Sequence, residues 1–381
     1  MFKTTRKNRQ AIHRIETILV AVFLLSAMVA AQSVSDKWTS AWPNTDFSKT
    51  TIELSSLESG GPPPDGIPPI DHPRFVAVEE ASEWIADREP VIFLELNQDV
   101  RAYPLQIMVW HEIVNDTIGG VPVTVTFCPL CYSAIVFDRR INGKVYDFGT
   151  SGLLRHSDLV MYDRQTESLW QQISGEAIVG EMVGRRLKMI PAALMGFGQF
   201  KSQHPDGKVL SKVTGYGRDY GRNPYAGYDD IRKTPFLYKG PLPKKVKPME
   251  HLVTVMINGD AVAYPFSVLK KRPVVNDEVA GVPIVVFFDK TTRTALGREK
   301  IKSGKAIGTG AVFDRRVEGR TMSFAKKGDF FVDRETGSIW NVLGVATSGP
   351  LKGKRLERVV SGDFFAFAWI AFRPHTRIYR P

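Results

Sequence analysis

Cysteine is almost absent from this chain of 381 residues, which contains only Cys128 and Cys131. So small a number excludes the framework of several disulfides that holds many small secreted domains together. A chain of this length with 43% hydrophobic residues can bury an ample core without such bridges. A bridge between residues this close would also restrict the unfolded chain very little. The pair is therefore a candidate for redox chemistry or for half of a metal site rather than for a structural disulfide.

The motifs of several enzyme classes are absent as well. The sequence has no phosphate-binding glycine loop and no serine-hydrolase elbow. It lacks the H-E-x-x-H motif of zinc proteases, because no histidine follows His111 and Glu112 at the required spacing. A c-type haem attachment is excluded because Tyr132 stands where C-x-x-C-H requires histidine.

Long hydrophobic runs are missing except near the N-terminus. There the first 16 residues are basic, residues 18–31 carry no charge, and the run ends in small side chains. That run is shorter than the roughly 20 residues that a membrane-spanning helix needs. The pattern predicts a signal peptide over residues 1–31 and export to the periplasm or the extracellular space. An uncleaved membrane anchor is the alternative, and no transmembrane segment is expected in the mature chain.

The net charge is mildly basic once the signal peptide is set aside. Residues 1–31 carry five basic side chains and one acidic one, so the net charge falls from +11 to about +7 without them. The remaining basic residues are scattered, apart from one dense run, KGPLPKKVKPME. A solvated linker explains this run better than a nucleic-acid surface. We therefore expect no nucleic-acid partner, whereas a protein partner in the periplasm is left open.

Two long stretches of the chain resemble each other. RAYPLQIMVWHEIVNDTIGGVPVTVTF, from Arg101, aligns without a gap with VAYPFSVLKKRPVVNDEVAGVPIVVFF, from Val262. Farther on, VFDRRING matches VFDRRVEG, and DRQTESLW matches DRETGSIW. The period is too long for a solenoid, so we expect two similar modules packed about a pseudo-two-fold axis. The predicted organisation is a Pro/Gly-rich segment over 32–64, a first module over 65–213 that carries the cysteines, a Tyr/Gly/Pro/Lys-rich linker loop over 214–248, and a second module over 249–381.

Most of each module is predicted to be β. PVIFLELNQDVRAYP and HLVTVMINGDAVAYP both read as hairpins around a polar turn, and VPVTVTF and SAIVFDR are rich in β-branched residues. Helices are expected to be short, one of them over residues 105–116. The fold class is therefore mostly β with a few short helices (α+β), and the C-x-x-C motif is expected in a tight turn between two strands.

Residues present in only one of the two copies are candidates for chemistry. In the second copy, Cys128 aligns with Asp289 and Cys131 with Thr292. The histidines are lost too, because His111 aligns with arginine and His156 lies in GTSGLLRHSDL, most of which has no counterpart. Joint absence is expected of a site that works as a unit.

Two thiolates and two imidazoles form a four-coordinate set that suits zinc, and copper(I) also favours thiolates. The sequence therefore predicts a transition-metal site, for zinc or copper, made of His111, Cys128, Cys131 and His156. Whether such a metal is catalytic, structural or cargo is left open, and so is whether the protein is an enzyme.

Two alternatives compete with the metal site. In the first, Cys128 and Cys131 form the redox pair of a periplasmic thiol-disulfide oxidoreductase, with Glu112 as a candidate base. No amphipathic helix follows the motif, so this redox pair would differ from that of thioredoxin-like proteins. In the second, the chain is a binding or assembly protein in which the cysteines only stabilise a turn.

The motifs together resemble a known family. DGIPPIDHPRF, RAYPLQIMVWHEIVND, GVPVTVTFCPLCYSAIVFDRR and DLVMYDRQTESLWQQ are similar to the secreted bacterial and archaeal family called domain of unknown function 3179. The resemblance is strong from Asp65 to Leu210 and looser in the second copy, which lacks C-P-L-C. It implies one centre that contains the W-H-E segment and both cysteines, and it implies no particular activity.

Overall fold

The computed structural model describes residues 38–381, so the predicted signal peptide lies outside the described residues. Strands account for 41% of the residues and helices for 11%, which confirms the mostly-β fold with a few short helices. Within the described part of the chain, none of the helices has the length and apolar character needed to span a membrane.

The helices are short and widely spaced. The α-helices bounded within residues 38–381 are α1 Val78–Ser82, α2 Leu105–His111, α3 Phe197–Gln203, α4 Phe266–Leu269 and α5 Ala366–Phe372, and the 3-10 helices are Leu54–Ser56 and Ile301–Ser303.

The strands fall into two series, one on each side of the linker loop. The first series is β1 Leu57–Ser59, β2 Phe75–Ala77, β3 Pro90–Leu96, β4 Asp99–Pro104, β5 Ile113–Ile118, β6 Val121–Cys128, β7 Ser133–Asp138, β8 Arg140–Ile141, β9 Lys144–Val145, β10 Phe148–Arg155, β11 Asp158–Asp163, β12 Leu169–Gln171, β13 Glu176–Val179, β14 Lys188–Ile190, β15 Ala193–Gly196 and β16 Lys208–Leu210. The second is β17 His251–Ile257, β18 Asp260–Pro265, β19 Val274–Val279, β20 Val282–Asp289, β21 Thr309–Asp314, β22 Arg316–Val317, β23 Arg320–Thr321, β24 Phe324–Lys327, β25 Phe330–Asp333, β26 Ile339–Trp340, β27 Ala346–Ser348, β28 Glu357–Arg358, β29 Ser361–Phe365 and β30 Arg377–Ile378.

The sheets of the two series have corresponding strand orders. The first series forms sheets β15-β3-β4-β16-β2, β14-β7-β6-β5 and β1-β10-β11-β12-β13, and the second forms β29-β17-β18-β30, β19-β20-β21-β28 and β24-β25-β26-β27. Each series adds one small hairpin, β8-β9 or β22-β23. Apart from β1 and β2, each strand therefore has a counterpart in the other series. This correspondence agrees with the aligned sequences, whereas the pseudo-two-fold arrangement of the modules stays a prediction.

Local sequence explains the turns that frame the centre. Both predicted hairpins form, with Asn97-Gln98 and Asn258-Gly259 at positive φ, as a tight two-residue turn requires. The helix predicted over 105–116 is wrong beyond His111. Glu112 adopts a left-handed conformation, with φ of 58°, and the β-branched residues that follow it form β5 against β6.

The largest hydrophobic cluster of the described residues is shared by the two series. Its buried members include both cysteines and Trp170 from the first series, together with Phe364 and Phe365 from the second. The backbone N–H of Phe365, at the end of β29, donates to the carbonyl of Cys131 at 2.9 Å. The cysteine turn is therefore covered by the second module and shielded from solvent.

Candidate metal centre

The C-x-x-C motif forms the turn between β6 and β7, as predicted. Cys128 ends β6, and the N–H of Cys131 donates back to its carbonyl at 3.2 Å. Tyr132 closes the turn in a left-handed conformation, with φ of 54°. The exposed fraction is 2% for Cys128 and 0% for Cys131, and both are free thiols.

A second tight turn brings a carboxylate to these thiols. β10 and β11 are joined by His156 and Ser157, both at positive φ, which is the geometry of a type I′ hairpin turn. Asp158 begins β11 and is completely buried. One ligand atom each from Cys128, Cys131 and Asp158 lies within 4.8 Å of the other two. This is the one such cluster of three or more His, Cys, Asp or Glu side chains within residues 38–381.

The two oxygens of Asp158 differ in their surroundings. Oδ2 accepts hydrogen bonds from Nε2 of Gln171 at 2.7 Å and from the backbone N–H of Ile173 at 2.9 Å. Oδ1 is buried and has no hydrogen-bond partner among the described residues. An unsatisfied buried carboxylate oxygen is unfavourable, so this atom is suited to bind a cation.

Burial favours the protonated forms of the centre when no cation is present. It raises the pKa of Asp158 to about 7 and raises the pKa of both thiols, that of Cys131 the more strongly because Cys128 and Asp158 lie beside it. The carbonyl of Ser157 accepts weak hydrogen bonds from both sulfur atoms, at 3.7 Å from Cys128 and 3.4 Å from Cys131. A metal ion would favour the charged forms and release these protons.

Neither predicted histidine ligand belongs to this group. Nδ1 of His111 donates to the carbonyl of Pro68 at 2.7 Å, which leaves Nε2 to accept from the hydroxyl of Tyr220 at 2.6 Å. His156 is half-buried, and its ring packs against the rings of Tyr238 and Phe372. The structure thus brings the two cysteines of the predicted set together and adds Asp158, while both histidines lie outside the group.

The linker loop covers the centre through its tyrosines. Tyr225 donates to Oε1 of Glu112 at 3.3 Å, and Tyr228 donates to the carbonyl of Leu130 at 3.1 Å. Together with Tyr220 they pack the loop onto the first module, in agreement with its many aromatic residues. Glu112 is 6% exposed, and burial raises its pKa to about 8, so it holds a proton at neutral pH.

A cavity of about 320 Å³ lies beside the centre. Glu112, Tyr225 and Tyr228 line it. Its wall also includes Leu130, which stands between the two cysteines, and Leu159, which follows Asp158. A small molecule in this cavity would therefore be separated from the centre by little more than these side chains.

Sequence reasoning missed Asp158, although a signal for it was present. The residue lies in GTSGLLRHSDL, the stretch that has no full counterpart in the second copy. The structure shows why, since the second-series hairpin of β24 and β25 is shorter and ends before the equivalent point. Within this stretch the sequence predicts His156 as a ligand, whereas the structure places the carboxylate two residues later beside the cysteines.

Comparison with known proteins identifies the family and no closer relative. No curated protein and no solved structure gives a significant match to the chain. The family model described as "Protein of unknown function (DUF3179)" matches residues 64–376, which span both modules. This match confirms the resemblance that the motifs indicated. The chain therefore belongs to the DUF3179 family of proteins of unknown function.

Proposed function

We propose that Cys128, Cys131 and Asp158 bind one transition-metal ion, with Zn²⁺ as the best-suited metal. The observation that supports this most strongly is the buried group of two sulfur atoms and a carboxylate oxygen within 4.8 Å of one another. Thiolates and carboxylates are common protein ligands of zinc. Copper(I) is the less suitable ion, because it favours thiolate and thioether sulfur over a carboxylate.

The proposed centre has the composition of a reactive site rather than of a purely structural one. Structural zinc sites have four protein ligands, whereas catalytic sites have three and keep one position open. Three ligands are found in the group here, and a cavity lies beside them, behind the side chains of Leu130 and Leu159. Glu112 lines that cavity and is positioned to exchange a proton with a bound molecule.

A thiol-disulfide oxidoreductase is less consistent with the surroundings of the cysteines. Such enzymes lower the pKa of the attacking thiol, commonly by placing it at a helix N-terminus. In this chain the motif leads into β7, and burial raises the pKa of both thiols. Export, predicted from residues 1–31, remains part of the proposal and would place the centre outside the cytoplasm.

Elemental analysis tests the proposed centre directly. The full chain, purified without chelator from the periplasm of an expressing cell, is expected to carry about one zinc ion. The Asp158→Asn variant should lose it, because an amide replaces the charged ligand oxygen. The His156→Asn variant should retain it, since asparagine also tolerates the left-handed conformation of this turn.

Two results would count against the proposal. A metal-free natural protein whose thiols react only after reduction would support the redox pair instead. Loss of metal in His156→Asn, with retention in Asp158→Asn, would restore the histidine-containing ligand set that the sequence predicts.

Gln171 is expected to act as a positioning residue for Asp158. Its Nε2 donates to Oδ2, and Oδ1 has no hydrogen-bond donor among residues 38–381. Removing such an outer partner commonly lowers metal affinity by about 10–100-fold. The Gln171→Ala variant should therefore bind zinc about 10–100-fold more weakly than the natural chain. Competition with a chromogenic chelator measures this affinity. Gln165→Ala, which alters an exposed glutamine, is the matched control, and equal affinities in the two variants would contradict this role.

A further inference from the structure

A second, larger cavity lies next to the first one. Its volume is about 900 Å³, and Lys233 lines both cavities. The walls come from residues 227 and 229–233 of the linker loop, the start of β17, the region of α4, and the loop between β20 and β21. The proposed metal ligands do not line this cavity.

His251 is an unsatisfied polar group in the wall of this cavity. It is the first residue of β17 and only 8% exposed. Its ring lies among aromatic rings, with centroid distances of 5.3 Å to Phe266, 4.6 Å to Phe365 and 4.6 Å to Tyr132. Neither ring nitrogen has a hydrogen-bond partner among the described residues. A neutral imidazole offers one donor and one acceptor, and both nitrogens lie just beneath the cavity surface, so a small rotation of the ring would bring one of them to a ligand.

The charges around the cavity are unbalanced. Four exposed cationic side chains that line it form no ion pair within 4.0 Å in the described part of the chain: Lys233, Lys270, Arg298 and Lys305. The wall carries five basic and three acidic residues in all, and Lys305 interacts electrostatically with two of the acidic ones, Asp229 and Asp230. Asp230 pairs with Arg232 at 2.6 Å, Glu250 accepts from the N–H of Ser267 at 2.9 Å, and Asp229 interacts with the hydroxyl of Thr294. The cavity therefore presents an excess of positive charge to whatever enters it.

We propose that this cavity binds a small molecule through an oxyanion, either a phosphate or a carboxylate group. The excess of cationic side chains attracts the anion, and His251 donates one hydrogen bond to it once its ring turns toward the cavity. Oxyanions accept strong charge-assisted hydrogen bonds from lysine and arginine, which fits the donors present. This site does not depend on the proposed metal centre and would exist in a metal-free chain.

Calorimetric titration tests the site with two probes, inorganic phosphate and succinate, at constant low ionic strength. Both are titrated into the full chain with and without chelator. We expect saturable binding of at least one probe. Lys270→Gln and Lys305→Gln should each weaken binding by about five-fold, the effect of removing one unit charge about 4 Å away in water. Lys352→Gln, at an exposed lysine that forms no ion pair within residues 38–381, is the matched control and should leave binding unchanged.

His251→Phe tests the buried donor, because it preserves the aromatic packing and removes both nitrogens. It should weaken binding at least as much as either lysine variant.

Binding of phosphate alone would identify a phosphoryl ligand, and binding of both probes would identify a less selective anion site. The site would be overturned by absence of binding for both probes, or by binding that the lysine variants leave unchanged. Weakening in the lysine variants alone would overturn the role of His251. Chelator should change none of these results, so the test is separate from that of the metal centre.

Discussion

The Cys131→Ser variant should bind zinc at least about a thousand-fold more weakly than the natural chain. Structural zinc sites derive about 10–16 kcal/mol from their ligands at neutral pH, so loss of one thiolate should remove several kcal/mol. Serine is close to cysteine in size, and its hydroxyl stays protonated where the thiol would ionise. The turn that holds residue 131 is fixed by backbone hydrogen bonds from Cys131 and Phe365, which the substitution leaves intact.

Competition with a chelator of known affinity measures this effect, and Cys128→Ser should behave in the same way. Unfolding of each variant in excess chelator is the control, because a loss of fold would remove the site without testing its ligands. Unchanged zinc affinity in both folded variants would show that the thiols are not ligands.

The second large effect is expected at Asp363, a buried carboxyl group where β29 approaches β21 and β15. The hydroxyl of Thr309 lies 2.6 Å from its Oδ2 and 2.9 Å from the carbonyl of Leu194. One hydroxyl hydrogen cannot serve both acceptors. A protonated Asp363 resolves the conflict, because it donates to Thr309, which then donates to Leu194. Burial favours the same form and raises the pKa of Asp363 to about 7.

The raised pKa of Asp363 makes the folded protein less stable as the pH rises. The ordinary pKa of 3.8 applies in the unfolded chain, so the folded chain binds the proton more tightly. The stability from this group is therefore greatest below pH 4, declines as the pH rises to about 7, and changes little above that. Asp363→Asn keeps the hydrogen-bond chain without an ionisable group. At pH 8 it should be more stable than the natural protein by on the order of 2–4 kcal/mol, and near pH 4 the two should be similar.

Urea unfolding of both proteins between pH 4 and pH 8, with chelator present, measures the difference. His251 acts in the opposite direction, because burial lowers its pKa to about 3 and stability is lost as the pH falls below 6.5. It is present in both proteins, so its contribution cancels in the comparison. Asp329→Asn, at an exposed aspartate, is the matched control. A constant difference between Asp363→Asn and the natural protein across this range would contradict a raised pKa at Asp363.

The features that the sequence predicted well are those fixed by neighbours along the chain. The hairpins around residues 97–98 and 258–259 follow from turn residues between alternating strands, and the position of C-P-L-C follows from the β-branched runs beside it. The helix predicted over 105–116 extends too far, because its apolar residues fit the repeat of a helix as well as the two-residue repeat of a strand. Only the left-handed Glu112 and the pairing of β5 with β6 decide where the helix ends.

The candidate site was harder to predict because tertiary contacts assemble it. Asp158 reaches the cysteines only through the pairing of β10 with β11 and the packing of that sheet on the cysteine turn. Tyr225 and Glu112 meet across more than a hundred residues. Residue type alone does not select the members of the group, because His111 has the character of a metal ligand and in the structure forms hydrogen bonds with Pro68 and Tyr220. The comparison of the two copies points to the segments that contain Cys128, Cys131 and Asp158, and only the fold places the Asp158 carboxylate beside the two sulfur atoms.

Four residues around the centre hold the backbone in a left-handed conformation, and this affects how a ligand would bind there. Glu112, Tyr132, His156 and Ser157 all have φ between 53° and 65°, and none of them is glycine. Each such conformation costs about 1–2 kcal/mol, which the surrounding fold must supply. The backbone that carries the thiols and the carboxylate is thus set when the chain folds. An incoming ion would meet preorganised donors and would lose little affinity to ordering them, so the selectivity of the centre should depend on its fixed dimensions.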